Sequence, residues 1–458
     1  MNFKNSSYFI IGTASKYALN FLSIIVFARL FLPEDFGYWI KLLSIFSIIQ
    51  FLIEFGQVNI LISKKNKKFD LFFSELITWN IYLILIAYIF FLPMTIFILG
   101  FNNYSVYIYL FLFISIPFNI LGNLLFVRIQ YLKKFILVNY TPFLILLLGF
   151  SAALIYVYYF RLNIEALAFK IFIESLLTLS FSLFYTGSYF FNNFPKIFKI
   201  KNILKIENIS IAIGDLAIKL SNHIDKIILS IILSPSMLGF YSRAYSLGLI
   251  GVAIGGYSIT PLGIQSDNSK YKTLFLLLYN IFLSVIAFHL IYYHSEYFLL
   301  KLLGNNWKDL VALGWIISLM PAMKLFENFL YILCTDHNKT KIFPTAYFLS
   351  YSVSFFISLL IYSMNFNIYY LIFLFFSICL VIYLLFFLFF LKNILAFKLK
   401  MYFSIFFSLI LYLIYINFFM EYLINLALSY YFIIIIDLII CTIFLSPLTI
   451  LLFKNIKK

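Results

Sequence analysis

The chain has 458 residues, 64% of them hydrophobic and 22% aromatic but only 11% charged, less than half the charged share of a typical soluble domain. The lipid bilayer is the only solvent that suits such a composition, and no soluble domain is left over to build. A net charge of +16 points to nucleic acid only when the cations share a soluble face, so nucleic-acid binding is excluded.

Taken in chain order, Met1 to Ser7 leads into an apolar stretch too long for the core of a secretory signal and without a small-residue cleavage pattern, so it reads as a retained first span. A crossing needs roughly 20 apolar helical residues. Charge clusters and Pro, Gly or Asn breaks divide the chain into about fourteen such segments. They are 7–30, 36–62, 75–99, 105–127, 136–160, 164–190, 209–233, 237–262, 274–298, 310–334, 342–363, 367–391, 401–420 and 425–452.

The cations test this division, because cytoplasmic loops are enriched in Lys and Arg. Alternate loops hold 22 of the 33, among them Lys64 to Lys68, Lys133, Lys134, Lys196 to Lys205 and Lys454 to Lys458. The opposite loops hold Arg29, Arg161, Lys301 and Lys308. Both termini are therefore expected in the cytoplasm and the number of spans even. Cys334, Cys379 and Cys441 stand singly in apolar segments, which indicates neither a disulfide framework nor a metal site.

LPEDFGYWIK (Leu32 to Lys41) returns as SPSMLGFYSR (Ser234 to Arg243), placing Pro33 on Pro235, Gly37 on Gly239, Trp39 on Tyr241 and Lys41 on Arg243. Pro117 and Pro321, and Pro142 and Pro344, stand at nearly the same offset. A polytopic chain that repeats in this way predicts two similar lobes with a ligand bound between them. The expected fold is an all-α polytopic membrane protein of two six-helix bundles related by a pseudo-two-fold axis, at 1–200 and 201–400, followed by two C-terminal helices within 401–458. An even number of helices per unit gives the lobes one orientation.

Seven cations fall inside predicted spans: Lys16, Lys41, Lys170, Lys219, Lys226, Arg243 and Lys324. A charge at the bilayer centre costs roughly 2.5–3.5 kcal/mol on insertion scales, so each must line water, pair with an acid or snorkel. Glu54, Glu174, Asp215, Asp225, Glu327 and Asp437 are the acids in spans, and Lys170 with Glu174, Asp215 with Lys219, and Lys324 with Glu327 have helical spacing. Asp215, Lys219, Asn222 and Lys226 form a stripe that reads equally as a wet cavity wall or as structural ion pairs. Lys41 and Arg243, matched by the repeat, are expected to face each other as an anion site, and Lys16 is a mid-span cation too deep to snorkel. Arg29 stands beside Glu34 and Asp35, where a surface ion pair competes with a ligand role.

ARLFLPEDFGYW (Ala28 to Trp39), with EFG at Glu54 to Gly56, resembles the start of bacterial polysaccharide-unit flippases of the multidrug/oligosaccharidyl-lipid/polysaccharide exporter superfamily. HIDKIILS and LGFYSRAYSL (His223 to Ser230, Leu238 to Leu247) resemble the opening of their second lobe. The resemblance implies a cationic central cavity that carries an undecaprenyl-diphosphate-linked glycan across the bacterial inner membrane by alternating access. No cofactor is expected, a polysaccharide polymerase is the expected partner, and the position of the in-span acids suggests coupling to Na⁺ or H⁺. On that reading Lys16, Arg29, Lys41, Lys219, Arg243 and Lys324 bind substrate, and Glu54, Asp215, Asp225 and Glu327 hold the coupling ion or partner the cations. The rival readings are a multidrug cation antiporter of the same superfamily, whose cavity should be acidic, and a polytopic polymerase or glycosyltransferase. The longest expected exoplasmic loop, Glu296 to Asp309, is too short to carry a catalytic domain.

Overall fold

The computed structural model describes residues 3–54, 56–63, 69–99, 106–132, 134–160 and 164–192, most of 212–249, then 299–314, 342–363 and single positions within 323–327 and 372–386. Every regular element among them is helical, as the bilayer requires, since a helix pairs its own backbone N–H and C=O groups where water is absent.

The N-terminal half is α1 (Phe3–Leu30), α2 (Pro33–Glu54), α3 (Gln57–Ser63), α4 (Phe69–Leu99), α5 (Val106–Tyr131), α6 (Phe135–Phe160) and α7 (Glu165–Asn192). Pro33 opens α2 where its missing N–H costs nothing, Glu34 and Asp35 complement the positive end of the helix, and Asp35 accepts the Leu32 N–H at 3.0 Å. Pro117 and Pro142 lie inside α5 and α6, as helices packed among neighbours in a membrane tolerate. The stretches Pro33–Glu54, Phe72–Ile89, Val106–Tyr131, Ile136–Phe160 and Glu165–Gly187 are each long and apolar enough to cross a membrane.

Six expected spans thus appear, and the second is α2 plus α3. The break falls at Gly56, whose φ of 64° is the left-handed region that glycine enters without strain. A Cβ there would also sit 2.6 Å from Ala212 Cα, so the same glycine lets the backbone at Ala212 come close.

In the second half, helical positions at 212–220 lead to α8 (Ile224–Ile232) and α9 (235–249). A 3₁₀ segment, Asn305–Leu313, follows Gly304 (φ 97°), so the expected tenth span at 310–334 begins in 3₁₀ geometry. The helix Ile342–Ser363 coincides with the eleventh span. Spans 274–298, 401–420 and 425–452 and the lobe boundaries at 200 and 400 lie outside the described residues, as do Cys334, Cys441 and Asp437. Cys379 is buried.

One apolar core joins the two halves, running from Phe27 of α1 and Phe31 just after it through Phe36, Trp39 and Phe46 of α2 to Leu238, Phe240 and Tyr241 of α9 and Trp307. A smaller cluster packs Leu61 of α3 with Phe73 and Leu76 of α4, Leu124 of α5 and Ala212.

Candidate functional site

The two copies of the repeat are each other's neighbours. A Cβ on Gly37 would overlap the carbonyl oxygen of Pro235, and a Cβ on Gly239 would overlap that of Pro33. This reciprocity is what a two-fold axis between α2 and α9 produces, because each helix meets its equivalent at the same residue. Only a glycine permits backbone contact at such a crossing. Trp307 caps it, buried completely, with its ring centroid 5.6 Å from Phe36 and 5.8 Å from Phe240, and its indole N–H donates to the Ala28 carbonyl at 2.7 Å.

Beyond the crossing, one face of α2 presents Trp39, Leu43, Ser47, Gln50 and Glu54 at spacings of four, four, three and four. The first four line two abutting cavities that share Leu43 and Ile171. The first cavity, of about 330 Å³, is lined by Tyr17, Asn20 and Ser23 of α1, Trp39 of α2, Lys170 of α7, and Arg243 and Ser246 of α9. The Arg243 guanidinium lies 3.4 Å from the centre of the Phe36 ring, while its buried Nε has no hydrogen-bond partner among the described residues. Lys170 holds Glu174 at 3.0 Å. The second cavity, of about 500 Å³, is lined by Lys16, Ser47, Gln50, Asn119, Asn123, Glu174, Ser175, Thr178 and His223, among others.

At the far end of the stripe an ion network joins the halves. Gln50 donates to Glu54 at 2.8 Å, and Lys219 sits 2.5 Å from Glu54 and 3.0 Å from Asp215. Contacts between the halves therefore stand at both ends of the cavities, Gly37–Pro235 with Gly239–Pro33 at one and Glu54–Lys219 with Gly56–Ala212 at the other.

The expected site residues divide among four places. Arg243 and Lys16 line cavities, though different ones, and the structure gives Lys16 no hydrogen-bond or ion-pair partner among the described residues. Lys41 is exposed and lines neither cavity, since it stands two residues, about 200° of helix, from Trp39. The expected face-to-face pairing of Lys41 with Arg243 is thus not formed, and Lys170 shares the cavity with Arg243 instead. Arg29 donates from Nε to the Leu302 carbonyl at 2.9 Å and from a terminal nitrogen to the Lys301 carbonyl at 2.8 Å, tying α1 to the turn ahead of Trp307. Lys219, Glu54 and Asp215 form the network just described.

Asp225, Lys324 and Glu327 lie in a buried cluster of the second half, where Lys324 holds Glu327 at 2.9 Å. Tyr241 donates to Asp225 at 2.5 Å, and Lys226 lies 3.4 Å from the centre of the Tyr245 ring. Asp225, Lys324 and Glu327 line neither cavity.

Absent from the sequence reading were the uncharged lining residues: Asn20, Ser23, Ser47, Gln50, Asn119, Asn123, Ser175 and Thr178. Their signal was available in the spacing, since polar residues at intervals of three and four within apolar spans mark one helix face.

A comparison with the sequences of curated proteins finds no match. Among solved structures, the lipid II flippase MurJ in an inward closed conformation superposes with a TM-score of 0.68 over 98% of this chain and 99% of that one, at 16% identity. The chain therefore has that fold. The family described as polysaccharide biosynthesis protein matches residues 3–262, more than half of the length and including both Leu32 to Lys41 and Ser234 to Arg243, and the chain belongs to that family.

Proposed function

We propose that the protein is a flippase that moves an undecaprenyl-diphosphate-linked glycan repeat unit across the bacterial inner membrane for a surface polysaccharide such as O-antigen, capsule or exopolysaccharide. The observation that carries this reading is Arg243, a guanidinium held over Phe36 beside a cavity between the halves, its buried Nε without a partner among the described residues. A buried donor of that kind wants an anion, and a guanidinium fits a phosphate through paired hydrogen bonds. Family membership and the flippase fold support the same substrate class.

A diphosphate does not cross hydrocarbon unaided. In the proposed cycle Arg243 and Lys170 hold it, the prenyl chain stays in lipid, and the halves separate first at one end and then at the other. With both termini cytoplasmic, the Gly37–Gly239 crossing is the exoplasmic closure and the Glu54–Lys219 network the cytoplasmic one. Glu54 and Asp215 meet a coupling Na⁺ or H⁺ when Lys219 releases them, and the glycan passes to a polymerase outside.

The test is translocation in proteoliposomes of a fluorescent undecaprenyl-diphosphate-linked oligosaccharide, read by quenching of the outer leaflet. The protein accelerates exchange, and Arg243→Gln lowers the apparent affinity about ten- to a hundred-fold, the worth of hydrogen bonds to a charged group. Vesicles with the wild-type protein that exchange no faster than empty ones overturn the reading. Exchange unchanged by Arg243→Gln overturns the site.

A further inference from the structure

Two abutting cavities of opposite hydrogen-bond character, where one uniform binding chamber would suffice, is the feature that the proposed function leaves unexplained. The first offers charged donors, Arg243 and Lys170. In the second, most hydroxyl protons are already committed. Ser47 donates to the Leu43 carbonyl at 2.7 Å, Ser175 to Ile171 at 2.8 Å and Thr178 to Glu174 at 2.7 Å, each to its own helix one turn back. What these groups keep for a ligand is oxygen lone pairs. Gln50 gives one of its two amide hydrogens to Glu54, which leaves its carbonyl oxygen and one N–H.

Asn119 and Asn123 complete the pattern. The Asn123 amide donates to the Asn119 carbonyl oxygen at 2.6 Å, one turn apart on α5. That bond leaves one NH₂ group and one carbonyl oxygen side by side in the cavity wall, and it does so whichever way the two amides are turned. An adjacent donor and acceptor match two neighbouring hydroxyls of a sugar ring, each of which both gives and takes a hydrogen bond.

We infer that the second cavity is a glycan subsite: the Asn119–Asn123 pair and the acceptor oxygens of Ser47, Gln50, Ser175 and Thr178 bind the hydroxyls of the sugars next to the diphosphate held by Arg243. The chemistry separates the two ligand parts. A diphosphate has only acceptors at neutral pH, so the oxygens of Ser47, Ser175 and Thr178 give it nothing to bind, whereas a polyol both donates to them and accepts from the asparagine NH₂ group. Lys16, which has no hydrogen-bond or ion-pair partner among the described residues, adds a cation that takes a ring hydroxyl or an acidic substituent. A volume of about 500 Å³ lies in the ordinary range for small-molecule sites and limits the enclosed part to a few sugars. Because the cavities abut at Leu43 and Ile171, one ligand with its sugar directly on its diphosphate spans both.

This inference rests on the flippase reading, and its test keeps the two apart. Full-length protein in detergent is titrated with two probes: undecaprenyl diphosphate alone, and undecaprenyl diphosphate carrying a short neutral oligosaccharide. In the wild type the glycan tightens binding. Asn119→Leu with Asn123→Leu weakens the glycosylated probe about ten-fold, the loss of two neutral hydrogen bonds, and leaves the bare diphosphate unchanged, which also reports that the variant is folded. Arg243→Gln weakens both probes. Where the leucine pair fails to fold, Thr178→Val, which keeps the shape and removes one oxygen, shows the same selectivity at about three-fold. Equal weakening of both probes by the α5 or α7 variants, or no effect on either, overturns the glycan subsite. Wild-type protein that binds neither probe overturns the underlying function instead.

Discussion

Gly37→Ala combined with Gly239→Ala adds one methyl to each copy of the repeat at the point where α2 and α9 touch. Each methyl lands inside contact distance of a proline carbonyl oxygen, which is backbone and cannot rotate away. The helices must move apart, and overpacking of that kind costs typically 1–3 kcal/mol. One separation relieves both overlaps, so the double variant costs less than the sum of the single ones. If this crossing opens during transport, the cost falls on the closed arrangement alone, and the equilibrium moves about 5- to 150-fold toward the open one. Spin labels on Glu34 and Ser234, both exposed, in a background without the native cysteines Cys334, Cys379 and Cys441, report the distance between the copies. The expected result is a longer-distance population that grows in each single variant and dominates in the double. A distance distribution identical to wild type refutes the reasoning, because it shows the methyls accommodated in a crossing that never parts.

Trp307→Phe keeps the ring between Phe36 and Phe240 but removes the 2.7 Å hydrogen bond to Ala28. It leaves a buried carbonyl unsatisfied at a cost of about 1–3 kcal/mol, so the same spin labels should show a shift toward opening of the size that a single glycine variant gives. At the other end, Lys219→Met strands Glu54 and Asp215 together. Labels or cysteines placed at that end should report separation there, and Lys219→Met with Glu54→Leu and Asp215→Leu should restore closure while abolishing any dependence of transport on a Na⁺ or proton gradient.

The spans among the described residues were legible because each is predominantly apolar and bounded by charge, and the fold class followed from that pattern and from the repeat. The division of span two into α2 and α3 was not, since an isolated glycine in an apolar run carries no sign of φ. Placement of the cations failed in an instructive way. The repeat aligned Lys41 with Arg243 in sequence, but sequence equivalence under a two-fold axis fixes only that the backbones correspond, not that both side chains serve one site. Arg243 stands over Phe36, while Lys41 is exposed. The stripe from Trp39 to Glu54 at helical intervals identifies the cavity-facing side of α2 from spacing alone, and Lys41 is off it.

The cluster in the second half bears on the same question, because the sequence reads Lys324 as a substrate-binding cation and Glu327 as a coupling-ion group or its charge partner, and the structure buries them as a pair one helical turn apart. The two roles make opposite predictions. A structural pair is worth little against an apolar replacement of similar volume, yet removal of one partner strands a buried charge at about 3–5 kcal/mol. Lys324→Met alone should therefore lower the thermal midpoint sharply, with Glu327 left facing the surrounding phenols, and adding Glu327→Leu should recover most of the loss and most of the transport. A substrate-binding Lys324 behaves otherwise: transport stays lost in the double variant even though the midpoint returns. Stability measured beside translocation in the three variants thus decides whether this buried charge belongs to the scaffold or to the path of the substrate, and the 2.9 Å pairing away from both cavities argues for the scaffold.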